Sequence, residues 1–258
     1  TGLSKLTFDE LVRTLLTVVK SPFTVPFEDQ VVLTLMRLRL GLLLNDISIR
    51  FGVSTAAVSK IFCFMVSELA KFAREFLVFW LPRKTIRRTL PDCFEENYSV
   101  TCIVDCFEIF IDRPGHLLRR NVTYSVYKSH NTAKILHAIA PSGFIMFTSR
   151  PYGGRASDRF ITLDSDEVLA DRGFTIADLL PPGVKVSLPS FSKGRPQMSR
   201  SELVASRRLA RLRIHVERRM KCFRILKQFP ASIFAKKPLA NNVFIAIAGL
   251  CNLQPRLI

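Results

Sequence analysis

A chain of 258 residues with 48% hydrophobic content has enough apolar side chain to bury a sizeable core, which excludes an intrinsically disordered polymer. Its formal charge is +17, and residues 171–258 hold 17 Lys/Arg against 4 Asp/Glu. This concentration of one sign points to a polyanionic partner, nucleic acid ahead of an acidic membrane surface.

The six cysteines, Cys63, Cys93, Cys102, Cys106, Cys222 and Cys251, form no C-x-x-C pair and mostly sit in apolar runs. That pattern excludes a zinc finger or a disulfide framework and suits a reducing compartment. No signal peptide is visible, and no membrane partner is expected. The apolar run 31–44 is broken by Arg37 and Arg39, and residues 243–250 are too few to span a bilayer. The start at Thr1 rather than methionine leads us to expect further sequence upstream.

Residues 1–91 read as a helical domain. Thr7 and Glu10 have capping-box spacing and open a helix to about Val19, which Ser21-Pro22 ends. A second helix is expected over 27–44. Asn45 caps a brief helix through Phe51, Gly52 makes the turn, and Ser54 caps the next helix. Its stripe is Val58, Ile61, Met65, Leu69, Phe72, Phe76 and Phe79, and Leu81-Pro82 stops it. A short helix, a glycine turn and a capped second helix give a helix-turn-helix reading of 43–62. The first residues of such a second helix enter the major groove, here Thr55, Ala56, Ser59 and Lys60. Plain helix packing produces the same pattern.

Residues 92–258 change period. Val100, Cys102 and Val104 alternate with polar neighbours and lead into Asp105-Cys106-Phe107-Glu108, a strand carrying an acid. Residues 122–128 and 133–140 read as two more strands, Pro141-Ser142-Gly143 as a turn, and 144–149 as the returning strand. A short helix near 159–163 precedes a buried strand, 168–171, that ends on Asp171. Residues 175–180 are helical, 184–188 form a strand, and 238–251 form a last apolar helix covering the sheet. Between them, 199–226 reads as one long basic helix with an apolar stripe of Leu209, Leu212, Val216, Met220 and Phe223. A single acid, Glu217, interrupts its arginines. It either pairs with Arg213 or Lys221, one turn away, or binds a metal ion. The order of elements suits an α/β fold: a mixed sheet with flanking helices, preceded by an all-α domain.

Acids at strand ends and on a neighbouring helix can converge on one cluster, where a divalent cation removes their mutual repulsion. Two such ions roughly 4 Å apart can activate a water and stabilise the leaving oxygen of a phosphodiester. Asp105, Asp171 and Glu217 are the candidates.

The chain resembles transposases of the PIF/Harbinger type, in the DDE superfamily, whose catalytic domain is RNase H-like. The resemblance is carried by Asp105-Cys106-x-Glu108-Ile109, by Tyr124-x-x-Tyr127-Lys128-Ser129-His130-Asn131-Thr132-x-Lys134, and by Gly153-Gly154-Arg155-x-Ser157-Asp158. It continues in Leu169-Ala170-Asp171-Arg172-Gly173-Phe174 and Arg213-Ile214-x-Val216-Glu217-Arg218. It implies that Asp105, Asp171 and Glu217 hold two Mg²⁺ or Mn²⁺ ions for strand cleavage and transfer at transposon ends. Lys128, His130, Lys134, Arg155, Arg172, Arg213 and Arg218 are then the candidates for DNA contacts in that domain. Glu108 is structural or supports the site from behind, Gly153, Gly154 and Ser157 read as a turn and helix cap, and Asp158 is a cap or a fourth polar group near the site. The resemblance further implies double-stranded terminal-repeat DNA as partner and a nuclear location, and it leaves room for an accessory DNA-binding protein and a homo-oligomer. The competing reading is a domesticated or decayed DNA-binding protein that no longer cuts. The run between Asp158 and Val168 is shorter than such transposases usually have, which keeps that alternative open.

Overall fold

The computed structural model describes residues 1–91, 102–157, 160–161, 223–227 and 229–255, with Asp105 described by its backbone alone. Helix α1 (Lys5–Val18) starts one turn before the expected cap. Ser4 is extended, and its Oγ accepts the Thr7 N–H at 3.1 Å, so Ser4 is the N-cap and Thr7 lies in the first turn. Helix α2 (Phe27–Leu40) ends short of residue 44 because Gly41 takes a left-handed φ of 69° and its N–H returns to the Arg37 carbonyl at 2.9 Å. Helix α3 (Leu44–Phe51) therefore begins before Asn45, with Leu43 at its N-cap.

The next junction agrees with the sequence. Gly52 adopts a φ of 63°, and Ser54 Oγ accepts the Ala57 N–H at 3.1 Å to cap α4 (Thr55–Phe72). The chain bends by 101° between α3 and the helical run from Thr55 to Leu77, the angle of a helix-turn-helix. Helix α4 then widens into a π turn, Ala73–Leu77, in which the Val78 N–H reaches the Ala73 carbonyl at 2.7 Å. The extra residue rotates the end of the helix about its axis. Phe76 and Phe79 consequently leave the buried stripe and are 50% and 42% exposed. A short helix, α5 (Arg83–Arg88), was not anticipated.

The sheet is built from β1 (Ile103–Phe110), β2 (Tyr124–Ser125), β3 (His130–Ile139), β4 (Ile145–Thr148) and β5 (Tyr152–Gly153). β3 is central and every named pairing is antiparallel. β1 lies on one side of β3; β2, β5 and β4 share the other in turn. The strand expected over 122–128 shrinks to two residues. Before it lies α6 (Leu117–Thr123), and after it a turn that brings Ser129 to a φ of 52°. Thr123 Oγ1 donates to the Arg119 carbonyl at 2.8 Å, one turn back along that helix. The elements expected over 168–188 lie outside the described residues. So does the basic helix as far as residue 222. Its expected end is not α-helical: Phe223 is extended, and Arg224–Leu226 form a 3₁₀ turn.

The chain next runs beside β1, with the Asp112 N–H donating to the Phe229 carbonyl at 3.0 Å and a parallel bridge from Ile111 to Phe229. Two helices complete the fold, α7 (Ala231–Phe234) and α8 (Lys237–Asn252). Helix α8 packs chiefly along α4 and the π turn rather than over the sheet. It reaches the sheet through Asn252, whose amide brackets the Ile145 backbone with two 2.9 Å bonds and also donates to the Leu77 carbonyl at 2.7 Å. Gly249 permits the close approach, since a Cβ there would lie 2.6 Å from the Ala73 Cβ.

One large core runs through both halves of the chain. It joins α1 to α4, α8, Phe223 and Phe229 with the face of the sheet that carries Phe107, Ile109, Ala133 and Ile135. The opposite face holds a smaller cluster of Val104, Leu136, Ala138, Tyr152 and Ile161.

Candidate catalytic strand and DNA-facing helix

Strand alternation decides what β1 can present. Phe107, Ile109 and Ile111 look into the large core. Asp105 stands two positions before Phe107 on the same side of the pleat, with His137 of β3 as its register partner. His137 is in turn the register partner of Thr148 on β4. A row of three polar residues, Asp105, His137 and Thr148, thus crosses three strands. Its neighbouring rows are apolar, Ile103 opposite Ile139 and Phe107 opposite Ile135.

The imidazole in this row is 2% exposed. Its Nδ1 meets the Thr148 hydroxyl, and its Nε2 is buried with no hydrogen-bond partner among the described residues. Burial pushes the pKa of His137 down to about 4, opposed by a hydrogen bond to the Phe147 backbone. The ring is therefore neutral at pH 7.

Glu108 falls on the other face, as the alternation anticipates. The Thr132 hydroxyl donates to its Oε1 at 2.6 Å. Thr132 also sits against the glycine turn after β5: its carbonyl accepts the Gly154 N–H at 2.9 Å, and a Cβ on Gly154 would overlap its hydroxyl. The Lys134 ammonium donates to the Ala156 carbonyl at 3.0 Å, and Arg155 donates to the Asn121 side chain. Ser157 Oγ accepts the Phe160 N–H at 3.1 Å and so caps the next turn. This face organises the Gly153-Gly154-Arg155 segment.

Lys128 and His130 are exposed where β2 turns into β3. The Lys128 ammonium lies 4.6 Å from the Tyr127 ring centroid, and His130 packs edge-on against Phe110. In the helical half, Thr55, Ala56 and Lys60 are exposed and Ser59 is half-buried, all within the first two turns of α4. They form one polar patch on the outer side of the helix, opposite the buried Val58, Ile61 and Phe62. Asp171, Glu217, Arg172, Arg213 and Arg218 lie outside the described residues.

A protein-family model described as DDE superfamily endonuclease matches residues 104–252, from the start of β1 to the last residue of α8. The chain belongs to the DDE superfamily endonucleases. A second match, described as helix-turn-helix of DDE superfamily endonuclease, covers residues 24–74, which contain α2, α3 and α4. No curated protein and no solved structure matches the chain. The DDE endonuclease thus carries a DNA-binding type of helix pair ahead of its nuclease segment.

DDE superfamily endonucleases generally use divalent metal ions. Among the described residues no group of three or more His, Cys, Asp or Glu side chains could hold one, and Asp171 and Glu217 are not among them. By backbone register Asp105 is the partner of His137, and the Nε2 of His137 is buried with no hydrogen-bond partner among the described residues. A carboxylate with a neutral imidazole suits a divalent cation of the first transition row. His137 and Thr148 were missed in the sequence. The available signal was a histidine inside Ile135-Leu136-His137-Ala138-Ile139, at a position whose neighbours of like parity are apolar.

Proposed function

We propose that this DDE endonuclease is a transposase of the PIF/Harbinger type, acting in the nucleus on the double-stranded terminal repeats of a transposon. Asp105, Asp171 and Glu217 hold two divalent cations, Mg²⁺ or Mn²⁺. When bound, the pair would activate a water toward the scissile phosphodiester and stabilise the departing oxygen. The observation that carries the reading is the place of Asp105: second residue of the matched nuclease segment, on the β1 strand of the sheet and register partner of His137.

The protein's own groups do the positioning. The outer face at the start of α4 offers Thr55, Ala56, Ser59 and Lys60 to the major groove. Lys128, His130, Lys134, Arg155, Arg172, Arg213 and Arg218 are the groups that would hold phosphates, with the excess positive charge of the last third extending the track. In the transfer step the 3′-hydroxyl released by cleavage attacks a second phosphodiester, so one P–O bond forms as another breaks.

The test incubates the purified chain with terminal-repeat DNA and Mg²⁺ or Mn²⁺, beside Asp105→Asn, Asp171→Ala and Glu217→Gln. Nicking by the unmodified chain that disappears in each variant supports the reading. DNA retention without any nicking selects the non-catalytic DNA-binding alternative, and nicking that survives the substitutions removes the assigned site.

A further inference from the structure

A cavity of about 720 Å³ lies between α6 and α7, lined also by β5 and Phe160. Leu118 and Val122 stand four apart on α6, so one stripe of that helix borders it. The stripe is apolar and open to solvent. Leu118 is 71% exposed and Val122 59%, and Phe160 is 54% exposed. A lone exposed apolar side chain is ordinary, but three around one hollow mark an interaction site. The backbone behind them is fixed. The Asn131 amide donates to the Arg120 carbonyl at 2.8 Å and the Arg155 N–H to the Val122 carbonyl at 3.3 Å. Gly153 leaves no room for a Cβ against that same carbonyl. An apolar stripe on a pinned helix is ordered before any partner arrives, which lowers the cost of binding one.

Charge decides what fills the cavity. Arg119, Arg150 and Lys237 are exposed along its lining. Arg150 is held there, its Nε donating to the Tyr152 hydroxyl at 3.2 Å and its guanidinium 5.3 Å from that ring's centroid. Among the described residues no Asp or Glu lines the cavity. The segments that build most of it lack acids altogether. Residues 113–157 hold seven Lys/Arg and no Asp or Glu, and residues 231–239 hold two Lys and no Asp or Glu. A second copy of a chain carrying +17 would set like charge against like. DNA meets the charge but not the lining. An unpaired base is recognised by hydrogen bonds to its edge, whereas Thr123 and Tyr152 engage their hydroxyls within the chain. Leu118, Val122 and the half-buried Phe234 offer apolar surface alone.

We propose that this cavity docks an acidic peptide segment of another protein. Its bulky apolar side chains lie against Leu118, Val122 and Phe160, and its carboxylates meet Arg119, Arg150 and Lys237. Apolar anchors in the groove supply affinity, and the cationic rim selects the partner. The inference is independent of the two-ion reading, since none of these residues is a candidate metal ligand.

The probe is a displayed library of random peptides, panned on the full chain. Enriched peptides are synthesised with a fluorescein label and titrated by anisotropy. They should combine Asp or Glu with Leu, Phe or Trp, and their affinity should fall as salt is raised. Leu118→Glu should weaken binding about tenfold or more. Lys237→Glu should weaken it too, with a shallower salt dependence. Both side chains are exposed, so both variants should keep the parent's unfolding midpoint. Val122→Ala adds no charge and trims the same stripe, so its weaker binding is a reading that does not depend on the folding of Leu118→Glu. Enrichment of no peptide, of basic peptides, or of peptides that bind all three variants as they bind the parent would overturn the proposal. Single-stranded oligonucleotide that loses affinity in Val122→Ala would assign the cavity to a nucleobase, and self-association abolished by Leu118→Glu would assign it to a second copy. Either result would overturn the peptide as occupant.

Discussion

The contact between Gly249 and Ala73 binds the helix-turn-helix half to the end of the nuclease segment, and its strength can be measured. A Cβ on Gly249 would stand 2.6 Å from the Ala73 Cβ and 3.2 Å from Leu77 Cδ1. Gly249→Ala gains about 1 kcal/mol of helix propensity. Relieving the overlap in a packed layer costs about 1–3 kcal/mol, so the net change is about zero to 2 kcal/mol of destabilisation. Ala73 is 1% exposed. Ala73→Gly loses a buried methyl, about 0.8 kcal/mol, and about 1 kcal/mol of propensity. Combining them removes the overlap, so the double variant should be more stable than the sum of the singles by about 1–3 kcal/mol. Urea unfolding followed by fluorescence of Trp80, the single tryptophan, and by far-ultraviolet circular dichroism reads the cycle. Additivity within about 0.5 kcal/mol, or Gly249→Ala raising stability by the full propensity gain, would refute the close approach of α8 to the π turn.

Ser54→Ala removes the cap of α4 and should cost about 1 kcal/mol, seen as a Tm lower by about 2–4 °C; an unchanged Tm would count against that cap. Ser59→Ala with Lys60→Ala should weaken terminal-repeat binding and reduce the salt slope by about 1. Its unfolding free energy should stay within about 0.5 kcal/mol of the parent, and equal DNA binding by parent and variant would remove α4 as a reader. Gly154→Ala forces a methyl onto the Thr132 hydroxyl and should destabilise by about 1–3 kcal/mol on denaturant titration. In the metal-free chain, the His137 pKa is depressed from 6.5 to about 4. Its neutral form therefore contributes stability that is full above about pH 6.5, falls as the unfolded chain takes up the proton, and is lost as pH drops through about 4. The total is about 3 kcal/mol, and His137→Gln should flatten that part of the pH–stability curve.

The helical half was legible where local chemistry fixes the backbone. Gly52 and Ser54 set the junction of α3 and α4, because a left-handed glycine and a serine oxygen facing a helix start need no tertiary help. Thr7 was misread as a cap because several polar residues near a helix start compete and the extended one wins, which at α1 is Ser4. Asn45 was misread because α3 starts at Leu44 behind an extended Leu43 with no side-chain cap. The π turn was not legible, since Phe76 and Phe79 continue the helical spacing and only packing against α8 inserts the extra residue. The strand over 122–128 failed because β-branched residues in a short segment are weak evidence for a strand, and residues up to Thr123 belong to α6. Asp105 was legible as an acid on an apolar strand. The place of His137 opposite Asp105 was not legible because cross-strand register joins residues 32 positions apart in sequence.

Strand alternation also separates the two acids of the motif at the start of the nuclease segment. Asp105 and Glu108 are three apart in a continuous strand, so they fall on opposite faces of the sheet. Glu108 receives the Thr132 hydroxyl and stands over the Gly153-Gly154 turn, which it helps to hold. Asp105 holds the register position two residues before Phe107 on β1, opposite His137. A single strand cannot bring a second carboxylate to that point without placing it two residues away, where Phe107 stands, or Ile103 on the other side. Any further acids must therefore arrive from distant segments, as the proposed Asp171 and Glu217 do. Among the described residues, the nearest donor by register is the imidazole across the ladder. The apolar layer that carries Phe107, Ile109, Ala133 and Ile135 is the same layer that packs α4, so one hydrophobic core fixes the helix-turn-helix segment to the strand on which Asp105 lies.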